Sequence, residues 1–422
     1  MICTQNYAKG LLEYELLPDG KGFQHNLDRD LHLLIIWQNG RVVEEQILAE
    51  ALRRFDVLAT IEIQWSPEHI DNNFKRFYKH IPIDRVQGKA AQVGAGAFIC
   101  AIFEDLHPLY QYRQTVSGSI ELANVNVLNL KRDSRERCGG YFVHSSGSPD
   151  EFFEQAALLF DDNQLREILA GHWRGHRKAL ARDLTGSQGW HDFTELFSVL
   201  RYCSSYVVLR NFEFLPDAFF ENDKDVDILC ANSIDLRLAA NATVRDQVQG
   251  CVKLNIKVAG IDVPFDVRRV GDDYYDANWQ REILKHRTCG AGGIFRPRDD
   301  DYFFSLYYHT LLQKPAVKPI YTERLLKLSE HLGLDFIDPQ KLLDPLSAAR
   351  ILEGFLKANG YSYVAPKDAE VYQNRAIIKH MGIDVGGAKR GRILHILRLL
   401  TPLELRKYIP LRLKRFILGL TR

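Results

Sequence analysis

Two aspartates separated by a single residue stand in the segment 221–230, ENDKDVDILC. The apolar residues between and after them predict a short, half-buried β-strand. Side chains alternate between the two faces of a strand, so Asp225 and Asp227 are expected to share one face. Adjacent carboxylates repel each other and are costly to desolvate, and a bound cation offsets both effects. The pair therefore suggests a divalent-cation site.

A third carboxylate follows in the apolar segment VPFDVRR, where Asp266 is flanked as a strand residue would be. Mg²⁺ prefers hard oxygen ligands and is usually held by one or two carboxylates together with substrate phosphates. The pattern predicts that Asp225, Asp227 and Asp266 converge and hold Mg²⁺ or Mn²⁺. The alternative interpretation is a solvated edge strand. Because the carboxylates repel each other, Asp227→Asn is expected to remove turnover with little effect on the fold.

The order of a strand and turn, an Asp-x-Asp strand and a later strand with one Asp resembles the nucleotidyltransferase fold of the DNA polymerase beta type, over roughly residues 190–310. The resemblance implies that the three carboxylates hold Mg²⁺ and an NTP such as ATP, and that the third accepts a proton from an acceptor hydroxyl. That family usually has a Gly-Gly or Gly-Ser turn after its first strand. Here Arg210 and Asn211 stand at the turn and are expected to bind phosphate, Arg210 directly.

A histidine lies at the end of a predicted strand in the segment 141–160, YFVHSSGSPDEFFEQAALLF, which has the pattern of a strand, a turn and a helix. A neutral imidazole at a strand end is a competent phosphoryl acceptor, so His144 is a candidate catalytic residue. The alternative is that His144 is a packed structural histidine.

Residues 31–160 resemble the nucleoside diphosphate kinases, both in this segment and in the order of their elements. The resemblance implies that His144 carries the phosphate, that Tyr78 lies beside the nucleotide, and that Arg113 and Arg132 bind its phosphates.

Three positions depart from the pattern of those kinases. Trp37 stands where the family has a lysine, Tyr141 stands where it has an asparagine just before the histidine, and Gln155 stands near the position of the glutamate that supports the histidine. A domain that binds phosphate or a nucleotide without transferring the phosphate is therefore the alternative interpretation.

The order of elements predicts an α/β (α+β) protein with several domains. We predict a ferredoxin-like, nucleoside diphosphate kinase-like domain at 25–165 and a nucleotidyltransferase-like mixed-sheet domain at 185–315. A helical region at 316–385 and a basic amphipathic tail at 386–422 are expected to follow. Within the second domain, the segment 233–248 (SIDLRLAANATVRDQV) is predicted to be one helix.

The basic tail has its own charge balance. Residues 389–422 carry ten Lys and Arg and one acid, Glu404, which makes the segment +9 and the other 388 residues −8. Leucine and isoleucine stripes run beside the basic residues, which predicts amphipathic helices on an anionic membrane surface. The alternatives are helices packed on their own domain, or RNA binding. The aromatic residues of the segment form no stacking platform, so no nucleic-acid partner is predicted.

Composition places the chain among folded globular proteins, because 46% of its 422 residues are hydrophobic and 26% are charged. We find no pattern of a secretory signal and no apolar run long enough to span a bilayer. Seven widely spaced cysteines without a C-x-x-C pair are typical of reduced thiols and argue against a zinc site. The expected location is the cytoplasm, peripheral on the inner membrane face.

These observations favour an enzyme. The leading hypothesis is a Mg-dependent transferase of the nucleotidyltransferase fold, moving a nucleotidyl or phosphate-sugar group onto a phosphorylated or lipid-linked sugar in cell-surface polysaccharide biosynthesis. The second is an ATP-dependent sugar kinase, in which His144 or the aspartates pass on the γ-phosphate. The third is a non-catalytic nucleotide-binding scaffold at the membrane.

Overall fold

Two five-stranded sheets organise the part of the chain that the computed structural model describes. The described residues are 15–16, 23–24 and 30–383, apart from 80, 82, 115–119 and 335–340. They form a mixed α/β fold with open mixed sheets, which agrees with the predicted α+β class. Within them, no helix is long and apolar enough to cross a membrane. The predicted tail at 386–422 lies outside the described residues.

The first sheet is built around β3, which forms from the apolar segment at 31–37 and is buried along its whole length. The strand order is β8-β3-β5-β4-β9, with antiparallel neighbours except for the parallel pair β4–β9. The strands of this half are β1 (Glu15–Leu16), β2 (Phe23–Gln24), β3 (Asp30–Ile36), β4 (Asp56–Gln64), β5 (Phe98–Asp105), β6 (Tyr110–Gln114), β7 (Ile120–Asn124), β8 (Val143–Ser145) and β9 (Arg177–Ala181).

Helices cover both faces of the first sheet. They are α1 (Glu44–Arg54), α2 (Ile70–Phe77), α3 (Ile83–Val86), α4 (Lys89–Val93), α5 (Val125–Cys138), α6 (Pro149–Leu159) and α7 (Asp162–Leu169). Leu34 and Ile36 of β3 pack against α1 and α5, whereas Leu33 and Ile35 pack on the side of α2 and α6. His144 of β8 lies opposite Ile35, so its side chain is on the α2 and α6 face.

The second sheet has the order β10-β11-β14-β13-β12, in which β11 and β14 are parallel and the other neighbours are antiparallel. Its strands are β10 (Tyr206–Val208), β11 (Val226–Cys230), β12 (Thr243–Val248), β13 (Cys251–Val258) and β14 (Ile261–Arg269), and β15 (Thr288–Cys289) pairs separately with β16 (Phe295–Arg296). The helices of this half are α8 (Phe193–Cys203), α9 (Phe219–Asn222), α10 (Ser233–Ala239) and α11 (Ala277–Lys285).

The segment 233–248 is not one helix, so that prediction is wrong. Helix α10 ends at Ala239, and the chain continues as strand β12. Asn241 takes a left-handed backbone conformation with φ of 52°, which asparagine tolerates better than most residues. The β-branched residues Thr243 and Val244 then favour an extended backbone.

Four helices complete the described chain. They are α12 (Asp299–Leu312), α13 (Pro319–His331), α14 (Pro345–Ala358) and α15 (Arg375–His380). Helix α12 is buried along most of its length, and its aromatic residues join the larger hydrophobic core, which also contains residues of both sheets.

A buried arginine joins the two halves of the molecule. Arg76 of α2 is fully buried, and its guanidinium donates to the carbonyl oxygens of Leu238 at 3.1 Å and Ala239 at 3.1 Å. It also donates to the carbonyl oxygen of Thr185 at 2.6 Å and to the hydroxyl of Ser187 at 3.1 Å. Because Leu238 and Ala239 end α10, Arg76 acts as a cation at the negative end of that helix dipole.

We predict that Arg76→Met lowers the free energy of unfolding by about 3 kcal/mol or more. Methionine fills most of the volume, but it leaves several buried carbonyl oxygens without a donor. Urea denaturation followed by tryptophan fluorescence measures the change.

Arg53→Met is the matched control. Arg53 is 68% exposed at its side chain and pairs with Glu50, so its loss should change stability by no more than about 0.5 kcal/mol. Equal urea midpoints for Arg76→Met and the unmodified protein would contradict the structural role of Arg76.

Candidate metal and nucleotide sites

Three aspartates share one face of the second sheet. Asp227 lies directly opposite Asp266 in the parallel pair β11–β14, and Asp225 stands two residues earlier in the chain. Each of the three offers a carboxylate oxygen, and these oxygens lie within 4.8 Å of one another. The structure thus brings together the three carboxylates that the sequence singles out. Hard oxygen donors at this spacing fit Mg²⁺ or Mn²⁺.

The electrostatics of the three aspartates reflect burial and mutual repulsion. Burial raises the pKa of Asp225, and the charges of Asp266 and Asp223 raise it further. Burial and the charge of Asp227 likewise raise the pKa of Asp266. A group whose pKa is raised in this way binds a proton more readily than it does in water, so negative charge is unfavourable here without a compensating cation.

Arg210 supplies part of that compensation. Its side chain is buried, and it forms a hydrogen-bonded ion pair with Asp227. Burial raises the pKa of Asp227, whereas the charge of Arg210 lowers it. The sequence predicts that Arg210 binds phosphate directly, and the structure gives its guanidinium a carboxylate partner within the protein.

Asn211 stands at the same turn, and its contacts stabilise the conformation of the turn. It adopts a left-handed backbone conformation with φ of 60°. Its side-chain amide donates to Asp223 at 2.6 Å, and its side-chain oxygen accepts from Arg324 at 2.6 Å. The side chain of Asn211 therefore ties the turn to α13.

Behind Arg210 lies a buried polar chain that the sequence analysis missed. Arg210 donates to the hydroxyl of Tyr274 at 3.4 Å, and that hydroxyl shares a hydrogen bond with Nδ1 of His309 at 2.9 Å. The same Nδ1 lies 3.3 Å from Oε1 of Gln313. Gln313 donates to the main-chain oxygen of Tyr274 at 2.9 Å. Burial lowers the pKa of His309 well below its usual value, and the charge of Arg210 adds to this effect. The lowered pKa favours the neutral form of His309.

Lys314 follows this buried chain on the loop between α12 and α13. Its positive charge lowers the pKa of Asp225 and of Asp227. Partial burial lowers the pKa of Lys314, and the charge of Arg210 lowers it further. Arg210 and Lys314 therefore both offset the negative charge of Asp225 and Asp227.

His144 occupies a different place, on β8 in the first sheet. It is buried, and the rings of Phe77 and Tyr78 pack edge-on at 5.5 Å and 5.2 Å from its ring. Its Nε2 lies 3.0 Å from Oε1 of Gln155, whose amide donates to Glu151 at 3.0 Å. The amide of Gln155 thus presents its oxygen to His144, so Nε2 carries the proton and Nδ1 carries the lone pair.

Cations surround the strand that carries His144. Lys131 donates to the main-chain oxygen of Ser145 at 3.0 Å, and Arg135 donates to that of Val143 at 2.9 Å. Lys89 lies 5.7 Å from the centre of the Tyr78 ring. Burial lowers the pKa of His144 well below its usual value, with Lys131, Arg135 and Lys89 contributing. The imidazole is therefore neutral, as a phosphoryl acceptor must be.

The other residues predicted to bind nucleotide differ in exposure and in their contact with His144. Tyr78 is buried beside it, and its hydroxyl accepts from the indole nitrogen of Trp37 at 3.2 Å. Arg113 is exposed on the β6–β7 hairpin and bonds to Gln111. Arg132 is 63% exposed at its side chain and pairs with Asp133 and Glu136, whereas the neighbouring Arg135 contacts β8.

Comparison with known proteins gives no relative: the chain matches no protein family model, no curated protein and no solved structure.

We predict that Asp225→Asn and Asp227→Asn both weaken Mn²⁺ binding by about tenfold or more, because each removes a charged ligand. Their effects on stability should differ. Asp225→Asn relieves repulsion and should leave the free energy of unfolding unchanged or raised. Asp227→Asn leaves Arg210 buried beside a neutral group and should cost about 3 kcal/mol. The sequence alone leads to a different expectation, namely that Asp227→Asn has little effect on the fold.

Electron paramagnetic resonance of free Mn²⁺ measures the binding, and urea denaturation measures the stability. Asp262→Asn, an exposed aspartate at the start of β14, is the control and should bind Mn²⁺ normally. Binding should also weaken as the pH falls through the raised pKa values of Asp225 and Asp266, because protons then compete with the metal. Unaltered Mn²⁺ binding by Asp225→Asn would rule out this site.

Proposed function

We propose that the protein is a Mg-dependent nucleotidyltransferase whose metal ligands are Asp225, Asp227 and Asp266. The observation that carries this proposal is the convergence of the three carboxylates on one face of a mixed sheet, with oxygens within 4.8 Å. The resemblance to the nucleotidyltransferase fold of the DNA polymerase beta type supports the same assignment.

Individual residues of the site would have distinct roles in this reaction. Bound Mg²⁺ would supply charge neutralisation for the phosphates of an NTP. Lys314, whose charge acts on Asp225 and Asp227, would add positive charge that favours those phosphates. Asp266 would accept the proton of an attacking hydroxyl as the acceptor oxygen bonds to the α-phosphorus and the bond to the bridging oxygen breaks. Pyrophosphate leaves with the electron pair of that bond.

The proposed class of acceptor is based on fold-level analogy and on the positive charge of the site and of the tail. A phosphorylated or lipid-linked sugar, used in the assembly of cell-surface polysaccharide, suits a cation-rich site and a basic amphipathic tail on the inner membrane face. This part of the proposal rests on the sequence of residues 389–422 and on fold-level analogy.

A second candidate function is phosphoryl transfer through His144. The ferredoxin-like, nucleoside diphosphate kinase-like interpretation of the first half draws support from the strand order β8-β3-β5-β4 with antiparallel pairs. The specific observation is that Nε2 of His144 faces Gln155, which leaves the lone pair on Nδ1, and that the charges of Lys131, Arg135 and Lys89 help to keep the imidazole neutral. Here the γ-phosphorus of ATP would bond to Nδ1 as ADP leaves.

Transfer of label from ATP, CTP, GTP and UTP distinguishes the two candidates. With Mg²⁺, a panel of hexose phosphates and a membrane lipid extract as acceptors, we expect label from the α-position to appear in the product together with pyrophosphate. Asp225→Asn should abolish this transfer, whereas His144→Gln should retain it.

Two results would redirect the assignment. Transfer of γ-label only, lost in His144→Gln and retained in Asp225→Asn, would establish the kinase function in place of nucleotidyl transfer. Binding of nucleotide without transfer of either label would favour the non-catalytic scaffold.

We also propose that the basic tail holds the protein on anionic membranes. Each Lys or Arg near such a surface contributes about 1 kcal/mol, and apolar burial adds about 25 cal/mol per Å². Deletion of 389–422 should abolish sedimentation with vesicles that contain phosphatidylglycerol. Binding of the full chain should weaken with salt but persist, because the apolar contribution is not screened.

The control variant replaces Leu413, Phe416 and Ile417 by serine and leaves the basic residues unchanged. Its remaining binding to the vesicles should be fully salt-sensitive, because only the electrostatic attraction is left. Equal sedimentation of the deleted and full-length proteins would contradict the membrane proposal and leave the aspartate site unaffected.

A further inference from the structure

A β-bulge brings an arginine onto the face of the second sheet that carries the three aspartates. The register of β12 against β13 shifts between Val244 and Asp246, so that Arg245 and Asp246 both stand opposite Lys253. Such a bulge re-aims the side chain of the inserted residue. The guanidinium of Arg245 reaches Asp266, with Nη2 of Arg245 3.3 Å from Oδ1 of Asp266.

The pairing of the strands continues this row of charges across the sheet. Asp227 lies opposite Asp266, and Asp266 lies opposite Lys253. Directly opposite residues point to the same face, so Asp227, Asp266, Lys253 and Asp246 follow one another along that face, with Arg245 beside Asp246. Lys253 pairs with Glu370 at 2.6 Å. The side chain of Lys253 is 16% exposed and that of Arg245 is 39% exposed, so Arg245 is the cation of the two that a ligand reaches more readily.

The aspartates thus have cations on two opposite sides. Arg210, at the turn that follows β10, pairs with Asp227, and Arg245 of β12 pairs with Asp266. The triphosphate group of an NTP would lie on the Arg210 side, next to the turn that follows β10. The acceptor would then bind on the Arg245 side.

We propose that Arg245 binds a phosphate group of the acceptor, so that the acceptor is a phosphorylated compound. The assignment of this phosphate to the acceptor rests on the proposed nucleotidyltransferase function. A planar guanidinium matches a phosphate with two parallel hydrogen bonds, and the side chain of Arg245 is 39% exposed, so a ligand can reach it.

Metal binding favours this role for Arg245. A cation held by Asp225, Asp227 and Asp266 competes with the guanidinium for the charge of Asp266, and like charges then disfavour the Arg245–Asp266 pair. Because that pair is partly exposed, it is weak and readily exchanged for a phosphate. The acceptor phosphate and the metal would therefore bind cooperatively.

Calorimetric titration with two probes tests the proposal. Inorganic tripolyphosphate with Mg²⁺ represents the NTP phosphates, and inorganic phosphate added to that complex represents the acceptor. We expect Arg245→Gln to weaken phosphate binding by about tenfold or more and to leave Mg-tripolyphosphate binding within about twofold. Lys314→Gln should show the reverse pattern.

Two variants guard against a general effect of charge or folding. Arg245→Lys keeps the charge without the planar fork and should give an intermediate loss. Lys257→Gln removes an exposed cation elsewhere on β13 and should bind phosphate normally. Equal phosphate affinity in Arg245→Gln and the unmodified protein, or no phosphate binding to the Mg-tripolyphosphate complex, would overturn the proposal.

The same titrations separate failure of this inference from failure of the proposed function. Normal Mg-tripolyphosphate binding that depends on Asp225, together with phosphate binding that does not depend on Arg245, would contradict the acceptor subsite alone. If Mg-tripolyphosphate does not bind, phosphate is titrated with Mg²⁺ alone. Binding that Arg245→Gln weakens would then support an anion site at Arg245 and contradict the nucleotidyltransferase assignment.

Discussion

The connection between the two halves of the molecule depends on a buried guanidinium whose partners are neutral. Arg76 donates to the final carbonyl oxygens of α10 and to groups of the segment that joins the two halves. A buried charge is stable only when its donors are satisfied, so Arg76 requires these carbonyls to converge. Helix α10 stands between β11, which follows Asp225, and β12, which carries Arg245. Arg76 thus fixes the end of α10, while the direct pairing of β11 with β14 places Asp227 opposite Asp266.

The repulsion among the three aspartates opposes folding, and the same negative charge favours cation binding. Three carboxylates on one sheet face repel each other, which raises the pKa values of Asp225 and Asp266. Arg210 and Arg245 offset part of this repulsion through Asp227 and Asp266. An arginine at each end leaves Asp225 as the least compensated carboxylate, so a cation gains most by binding there. The buried pair of Arg210 and the partly exposed pair of Arg245 thus offset only part of the repulsion, and a bound cation would offset more of it.

Local sequence patterns predict the strands β11 and β14 and the convergence of their aspartates, because alternation and apolar flanks are properties of short segments. The same patterns fail at 233–248, where the helical spacing of α10 conceals β12. The turn at Asn241 is stabilised by distant groups: its amide donates to the main-chain oxygen of Gly186 at 2.8 Å. Neither the bulge at Arg245 nor the contact between Tyr274 and His309 has a local signal, because both depend on packing between distant segments.

Helix α2 physically connects the two candidate sites. Arg76 holds the end of α10, and the next residue, Phe77, packs its ring 5.5 Å from that of His144. Lys79 strengthens the same connection, because its ammonium group pairs with Glu154 of α6 at 3.0 Å and also contacts the main-chain oxygen of Cys203 in α8. Contiguity alone does not establish coupling, which requires an element with two arrangements that both sites favour differently. A helix with a buried face and this many polar anchors favours a single arrangement. The physical role of α2 is therefore to join the two halves of the molecule, with Arg76 at the end of α10 and Phe77 beside His144.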